Sequence, residues 1–274
     1  MAAVKKQGGY TVFDRSSSYS VEGLSRALRD ASTPKGTRRW LLEHAAVGAA
    51  GIAAASAIIP VGDALASAHH DSKPHDSVDE WGVFASTTEA LTVTILTELL
   101  RRASLNSVPS SVSVIFDGVY AAELDHWNFI HKVFHPSTNR FWIPDGFFGG
   151  AGDALDLTAV GRGVAAGEHL FVNTYLLGVT IAAAAGKSKL ARYAAELGGV
   201  EAEHRVLGQS LAGESPANNL GFEVFELSTV SEIDAALRSA GFGLGQQGSA
   251  AGRFYQFPNP PMPAPIPISG NTPT

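Results

Sequence analysis

Two Glu-x-x-His motifs occur in the chain, Glu123-Leu124-Asp125-His126 and Glu201-Ala202-Glu203-His204. Residues three apart share a helical face, so each motif aims one carboxylate and one imidazole at a common point. One such pair arises easily by chance, but each has an upstream companion. Glu89 lies 34 residues before Glu123, and Glu168 lies 33 before Glu201. The contexts correspond as well, Thr88-Glu89-Ala90-Leu91-Thr92-Val93 against Gly167-Glu168-His169-Leu170-Phe171-Val172. The chain therefore reads as two copies of a helical hairpin. Each copy offers one Glu from its first helix and Glu-x-x-His from its second, six candidate metal ligands in all.

A helical wheel at 100° per residue gives an independent check. The face of Glu89 holds Ala85, Val93 and Leu96; that of Glu168 holds Val164, Phe171, Val172 and Tyr175. The face of Glu123 holds Phe116, Val119, Tyr120, Trp127 and Ile130. Carboxylates on such faces are buried, unpaired buried charge is costly, and no Lys or Arg shares these faces. Two divalent cations would neutralise the four carboxylates. Glu98 sits about half a turn from Glu89, so solvent or a partner is expected there. Tyr120 and Tyr175 are read as core packing, with hydrogen bonding to the site or redox chemistry as the alternatives. Asp125 and Glu203 are read as solvated, and His131, His135 and His169 point away.

The elements that must position these groups follow from apolar periodicity. Helices are expected over about 79–103, 110–134, 158–185 and 189–211. Asn106 to Pro109 and Gly186 to Ser188 make short breaks, whereas residues 136–157 form one long aromatic-rich packed loop. Short, long, short means two antiparallel hairpins joined by one crossover. A short helix is expected near 231–239, and a Pro-rich stretch from Phe257 onward as extended or disordered. Glycines at 161, 163, 167, 178, 198, 199 and 208 argue against the last two helices, at about 1 kcal/mol each relative to alanine. Close helix contact would compensate.

Composition excludes several functions. The chain of 274 residues has no cysteine, which removes thiolate sites and cysteine nucleophiles. Net charge is −6, and the part beyond residue 68 is acidic, which argues against a nucleic-acid partner. No phosphate loop, nucleophile elbow or zinc-protease motif is present. Arg38-Arg39 precede a weakly apolar run from Ala45 to Pro60 and a small-x-small end at Ala66-Ser67-Ala68. These are the parts of a twin-arginine export signal, too short and Ala-rich to span a membrane. A buried Ala-rich helix is the alternative. The expected divisions are residues 1–68 as export signal, 69–78 as a His-rich linker, 79–212 as the helical body and 213–274 as a C-terminal extension.

With this ligand pattern and this crossover, the chain resembles the ferritin-like superfamily, and within it the exported ferritin-like proteins that include desiccation-related ones. The resemblance covers roughly residues 79–212. It implies an all-α, ferritin-like four-helix bundle with a small C-terminal extension. It also implies Glu123 and Glu201 as bridging ligands, Glu89 and Glu168 as terminal carboxylates, and His126 and His204 as terminal nitrogen ligands. Iron and manganese both suit such a site. The expected function is redox chemistry on ferrous iron, oxygen or peroxide in an exported protein. The alternative is a stress-protective or envelope scaffold that uses metal for stability or not at all. Beyond metal ions, the expected partners are the twin-arginine export machinery and further copies of the chain in a homo-oligomer. A mineral-storing shell fits less well, because the long loop and tail add bulk.

We predict that replacing Arg38 and Arg39 with Lys retains full-length protein in the cytoplasm, as measured by cell fractionation. Unchanged export would dismiss the signal.

Overall fold

The computed structural model describes residues 76–267. The segment expected to be an export signal, most of the expected linker and the end of the tail lie outside that range. The described chain is mostly helical, with a small antiparallel sheet.

Local sequence sets the helix ends. Helix α1 (Val78–Leu105) starts at Ser77, whose hydroxyl accepts from the Glu80 amide while the Glu80 carboxylate accepts from the Ser77 amide. This reciprocal cap satisfies two otherwise orphaned donors. Helix α2 (Ser110–Ile130) follows Pro109 and ends before the expected Phe134. Phe134 instead turns back over Gly82 and meets the Trp81 ring edge-on, with centroids 6.2 Å apart. Asp156 caps α3 (Leu157–Ala184) by accepting from the Thr158 and Ala159 amides. Gly186, at φ +69°, makes the turn into α4 (Ser188–Leu211), a left-handed position suited to glycine. A second reciprocal cap, Thr229 with Glu232, starts α5 (Val230–Ser239).

Helix α1 packs along α2 and α3 along α4; α1 also meets α3, and α2 meets α4. Helix α1 is long and apolar enough to cross a membrane, but most of that stretch is buried inside the fold.

The all-α expectation omits a three-stranded sheet of order β2-β1-β3, formed by β1 (Arg140–Pro144), β2 (Gly243–Leu244) and β3 (Gly252–Gln256). Phe141 stands opposite both Leu244 and Tyr255. The expected packed loop thus contains an inner strand and a 3-10 turn (Asp145–Phe148). Five residues ending in proline, paired with strands a hundred residues later, leave little local periodicity to detect. The tail has no helix or strand over residues 257–267 and is tied down at two points. Phe257 is buried against Trp127, and the Met262 carbonyl accepts from the Tyr120 hydroxyl at 2.8 Å.

Glu98 departs from a solvent-facing expectation too. It is buried and receives Arg102 Nε at 2.7 Å and both Nε and Nη2 of Arg101. Arg102, fully buried, also donates to the Ala154 carbonyl and the Tyr255 hydroxyl and stacks on Phe148. The pair fastens the end of α1 to the crossover and the sheet.

The interior divides into two apolar clusters. One joins Leu91, Leu96 and Leu99 of α1 to Phe116 and Val119 of α2, Phe141 of β1 and Val160 of α3. The other joins Trp81 and Phe84 of α1 to Ile130, to Phe171 and Tyr175 of α3, and to Leu197 of α4. Every long helix passes from one cluster to the other, and each does so at its candidate ligand.

The glycine objection is answered by contact at two positions. A Cβ on Gly161 would lie 2.5 Å from the Ala212 amide nitrogen, and one on Gly208 would lie 2.7 Å from that of Ala165. The α3 and α4 backbones therefore touch where any side chain would separate them. We predict that Gly208→Ala lowers stability by about 1–3 kcal/mol in denaturant unfolding, because overpacking outweighs the roughly 1 kcal/mol propensity gain. A stabilised variant would contradict this close approach.

Candidate metal centre

One turn of each long helix supplies the polar layer between the two clusters. Glu89 comes from α1, Glu123 and His126 from α2, Glu168 from α3, and Glu201 and His204 from α4. All six expected ligands are buried and brought together. Two groups have one ligand atom from each member within 4.8 Å of all the others: Glu89, Glu123, His126 and Glu201; and Glu123, Glu168, Glu201 and His204. Glu123 and Glu201 belong to both. Either group could hold a metal ion.

The distances inside the layer are short. His204 Nδ1 lies 2.6 Å from Glu123 Oε1 and 3.3 Å from Glu201 Oε2; His126 Nδ1 lies 2.9 Å from Glu201 Oε1. Few of these approaches have the angles of a hydrogen bond. Glu89 Oε2, both Glu123 oxygens, Glu168 Oε2, Glu201 Oε1 and His126 Nδ1 are buried without a hydrogen-bond partner. Buried polar atoms are ordinarily paired, and each orphan costs roughly 1–3 kcal/mol. Lone pairs crowded onto one another and left unsatisfied fit a cation at their centre, so the donor set passes the chemical test for a metal site.

Protonation tells the same story for the metal-free protein. Burial drives the Glu89 and Glu168 carboxyls well above the ordinary range, and the charges of Glu123 and Glu201 push the same way. Burial also opposes ionisation of Glu123, but the two histidines outweigh it and hold that carboxyl well below its usual value. Burial alone would lower both imidazoles. The carboxylates reverse this, raising His204 to about 11 and His126 well above its usual range. Without metal, the layer therefore balances its charge with protons.

Other groups fall as expected. Asp125 and Glu203 are exposed. His131 stacks on Trp127, and His169 lies 3.7 Å from Glu226, outside the layer. Arg205, next to His204, is buried but pairs with Glu223 at 2.7 Å. Tyr175 is packed in the core as expected and also makes the alternative hydrogen bond, its hydroxyl donating to Glu89 Oε1. Its place on the ligand face was legible, but the helix it would reach was not. Tyr120 bonds to the tail instead of the site.

In comparisons with known proteins, no family model, no curated protein and no solved structure matches the chain.

A cation entering this layer must displace protons held on nitrogens whose affinity for them is raised, so metal affinity falls as pH falls. We predict that adding Mn(II) to metal-free protein in weak buffer at about pH 7 releases protons, and that affinity drops between about pH 8 and about pH 6. Proton-neutral, pH-independent uptake would contradict the assignment.

Proposed function

We propose that the four long helices form a ferritin-like bundle whose polar layer binds two ions, iron or manganese, and supports redox chemistry on ferrous iron, oxygen or peroxide. The observation that carries this reading is the pair of four-residue groups sharing Glu123 and Glu201, with ligand oxygens left buried and unpaired. Four carboxylates and two neutral imidazoles carry the charge that two divalent cations cancel. The two-hairpin order of α1 to α4, with its long crossover, supports the bundle.

In this reading Glu123 and Glu201, common to both groups, would help to hold both ions. Glu89 with His126 completes one position, and Glu168 with His204 completes the other. Two ions of this kind would supply electron transfer and Lewis acidity. The residues hold the ions in a dry, low-dielectric layer. Phe171, Val172 and Tyr175 wall it from α3, and Ala85, Val93 and Leu96 from α1. The rims of His126, at 8% exposure, Glu168, at 6%, and His204, at 4%, are the parts a small reactant reaches; Glu89, Glu123 and Glu201 are sealed. Such access admits a small oxidant or a single ion and excludes a bulky organic substrate.

Export through the twin-arginine route belongs to the same proposal and rests on Arg38, Arg39 and the apolar run that follows. Folding before export would let the protein load its metal in the cytoplasm.

The test is metal-dependent stability followed by turnover. Chelation should lower the melting temperature by several degrees, the shift that about 1–2 kcal/mol gives a domain of this size. Re-adding Fe(II) or Mn(II) should restore it, and Glu123→Ala combined with Glu201→Ala should abolish the response. Peroxide disproportionation or ferrous oxidation by the loaded protein separates an enzyme from a metal-stabilised scaffold. A melting point indifferent to chelator and metal would remove the site.

A further inference from the structure

The two halves of the layer repeat in sequence but not in their outer support. Tyr175 lies seven residues after Glu168 on α3, and its hydroxyl reaches across to Glu89 Oε1 on α1. By the internal repeat, Glu89 corresponds to Glu168, so the counterpart of Tyr175 is the residue seven after Glu89. That residue is Leu96, which has no hydrogen to donate. Glu168 accordingly has no hydrogen-bond donor outside the layer among the described residues, and its Oε2 is buried without a partner. Glu89 is also wholly buried, whereas Glu168 retains 6% exposure.

We propose that Tyr175 is a positioning residue that makes the two metal positions unequal, so that the ion at Glu89 and His126 is held tightly and the ion at Glu168 and His204 exchanges. This inference rests on the two-ion reading above and goes beyond it. The phenol fixes one Glu89 oxygen, which orients the other, Oε2, toward His126 and the shared carboxylates before any ion arrives. Orientation settled in advance is entropy that binding need not remove, and hydrogen bonds to ligating carboxylates tune affinity in this way. Glu168 has no such restraint and must be ordered by the ion itself. Among the four carboxylates it alone retains exposure, although on the imidazole side His126, at 8%, is more exposed than His204, at 4%.

The packing around Tyr175 is suited to a fixed donor. Its Cβ sits against Gly198 of α4, its ring is edge-on to Trp81 with centroids 6.5 Å apart, and Trp81 is itself fixed by donating Nε1 to the Thr174 carbonyl at 2.8 Å. The hydroxyl therefore stays aimed at Glu89 whether or not an ion is bound.

Metal-free full-length protein is titrated with Mn(II), and free ion is followed by its electron paramagnetic resonance signal. The wild type should bind two ions in two steps, the first at least about tenfold tighter, the lower end of what outer hydrogen-bond partners contribute. Tyr175→Phe should weaken the first step by about 10- to 100-fold and leave the second unchanged, so that the steps merge. Glu168→Gln should erase the second step and preserve the first, which keeps the proposal testable if the phenylalanine variant folds poorly. Equal affinities in the wild type, or equal weakening of both steps by Tyr175→Phe, would overturn the inequality and leave the two-ion reading standing. No binding by the wild type would overturn both.

Discussion

Four carboxylates meet in the middle of this protein with no lysine or arginine to answer them. Their nearest cations are the two imidazoles, which must hold protons against burial to serve. Such a layer is unfavourable in an apolar interior unless something compensates its charge. Much of the surrounding construction is explained by the need to hold it in place. The two apolar clusters lie on either side of it, and each long helix contributes apolar side chains above and below its ligand. Close contact between α3 and α4 at Gly161 and Gly208, and the Glu98–Arg102 fastening of α1, fix helices that repulsion would otherwise push apart. The contrast between the two acidic sites is instructive. Glu98 has its compensating arginines in the chain, whereas the ligand layer is complete only with protons or with metal.

The sheet and the tail serve the same end from outside. Phe141 and Ile143 of β1 and Phe148 of the following turn are wholly buried, and close the cluster at the far end of α1. Phe257 and the Met262 carbonyl tie the C-terminal stretch to α2 through Trp127 and Tyr120. Helix α2 carries Glu123 and His126, so this strap bears on the helix that supplies one complete Glu-x-x-His motif.

The six candidate ligands and the four long helices were legible in the sequence because both depend on one short period. A three-residue spacing places Glu123 with His126, and a repeat of about one hairpin places Glu89 and Glu168. What escaped depends on contacts between distant segments. Pairing of Phe141 with Tyr255 has no local signature, and an edge strand of two residues has almost none. Glu98 and Arg102, four apart on one helix, did carry a readable pairing signal. Their burial did not, since it arises from the crossover loop packing over them. For Tyr175 the face could be read, but contact with Glu89 required knowing how α3 crosses α1. The glycines misled for the opposite reason. Propensity counts them as losses, whereas at Gly161 and Gly208 the missing side chain is what permits the contact.

The central claim is that two ions occupy the carboxylate layer together. Crystals grown with Mn(II) and measured across the manganese absorption edge test it most directly. Two anomalous peaks are expected about 3.5–4 Å apart, both between Glu123 and Glu201, one beside Glu89 and His126 and the other beside Glu168 and His204. Ordered manganese found only at surface carboxylates, with an empty layer closed over protonated side chains, would contradict it.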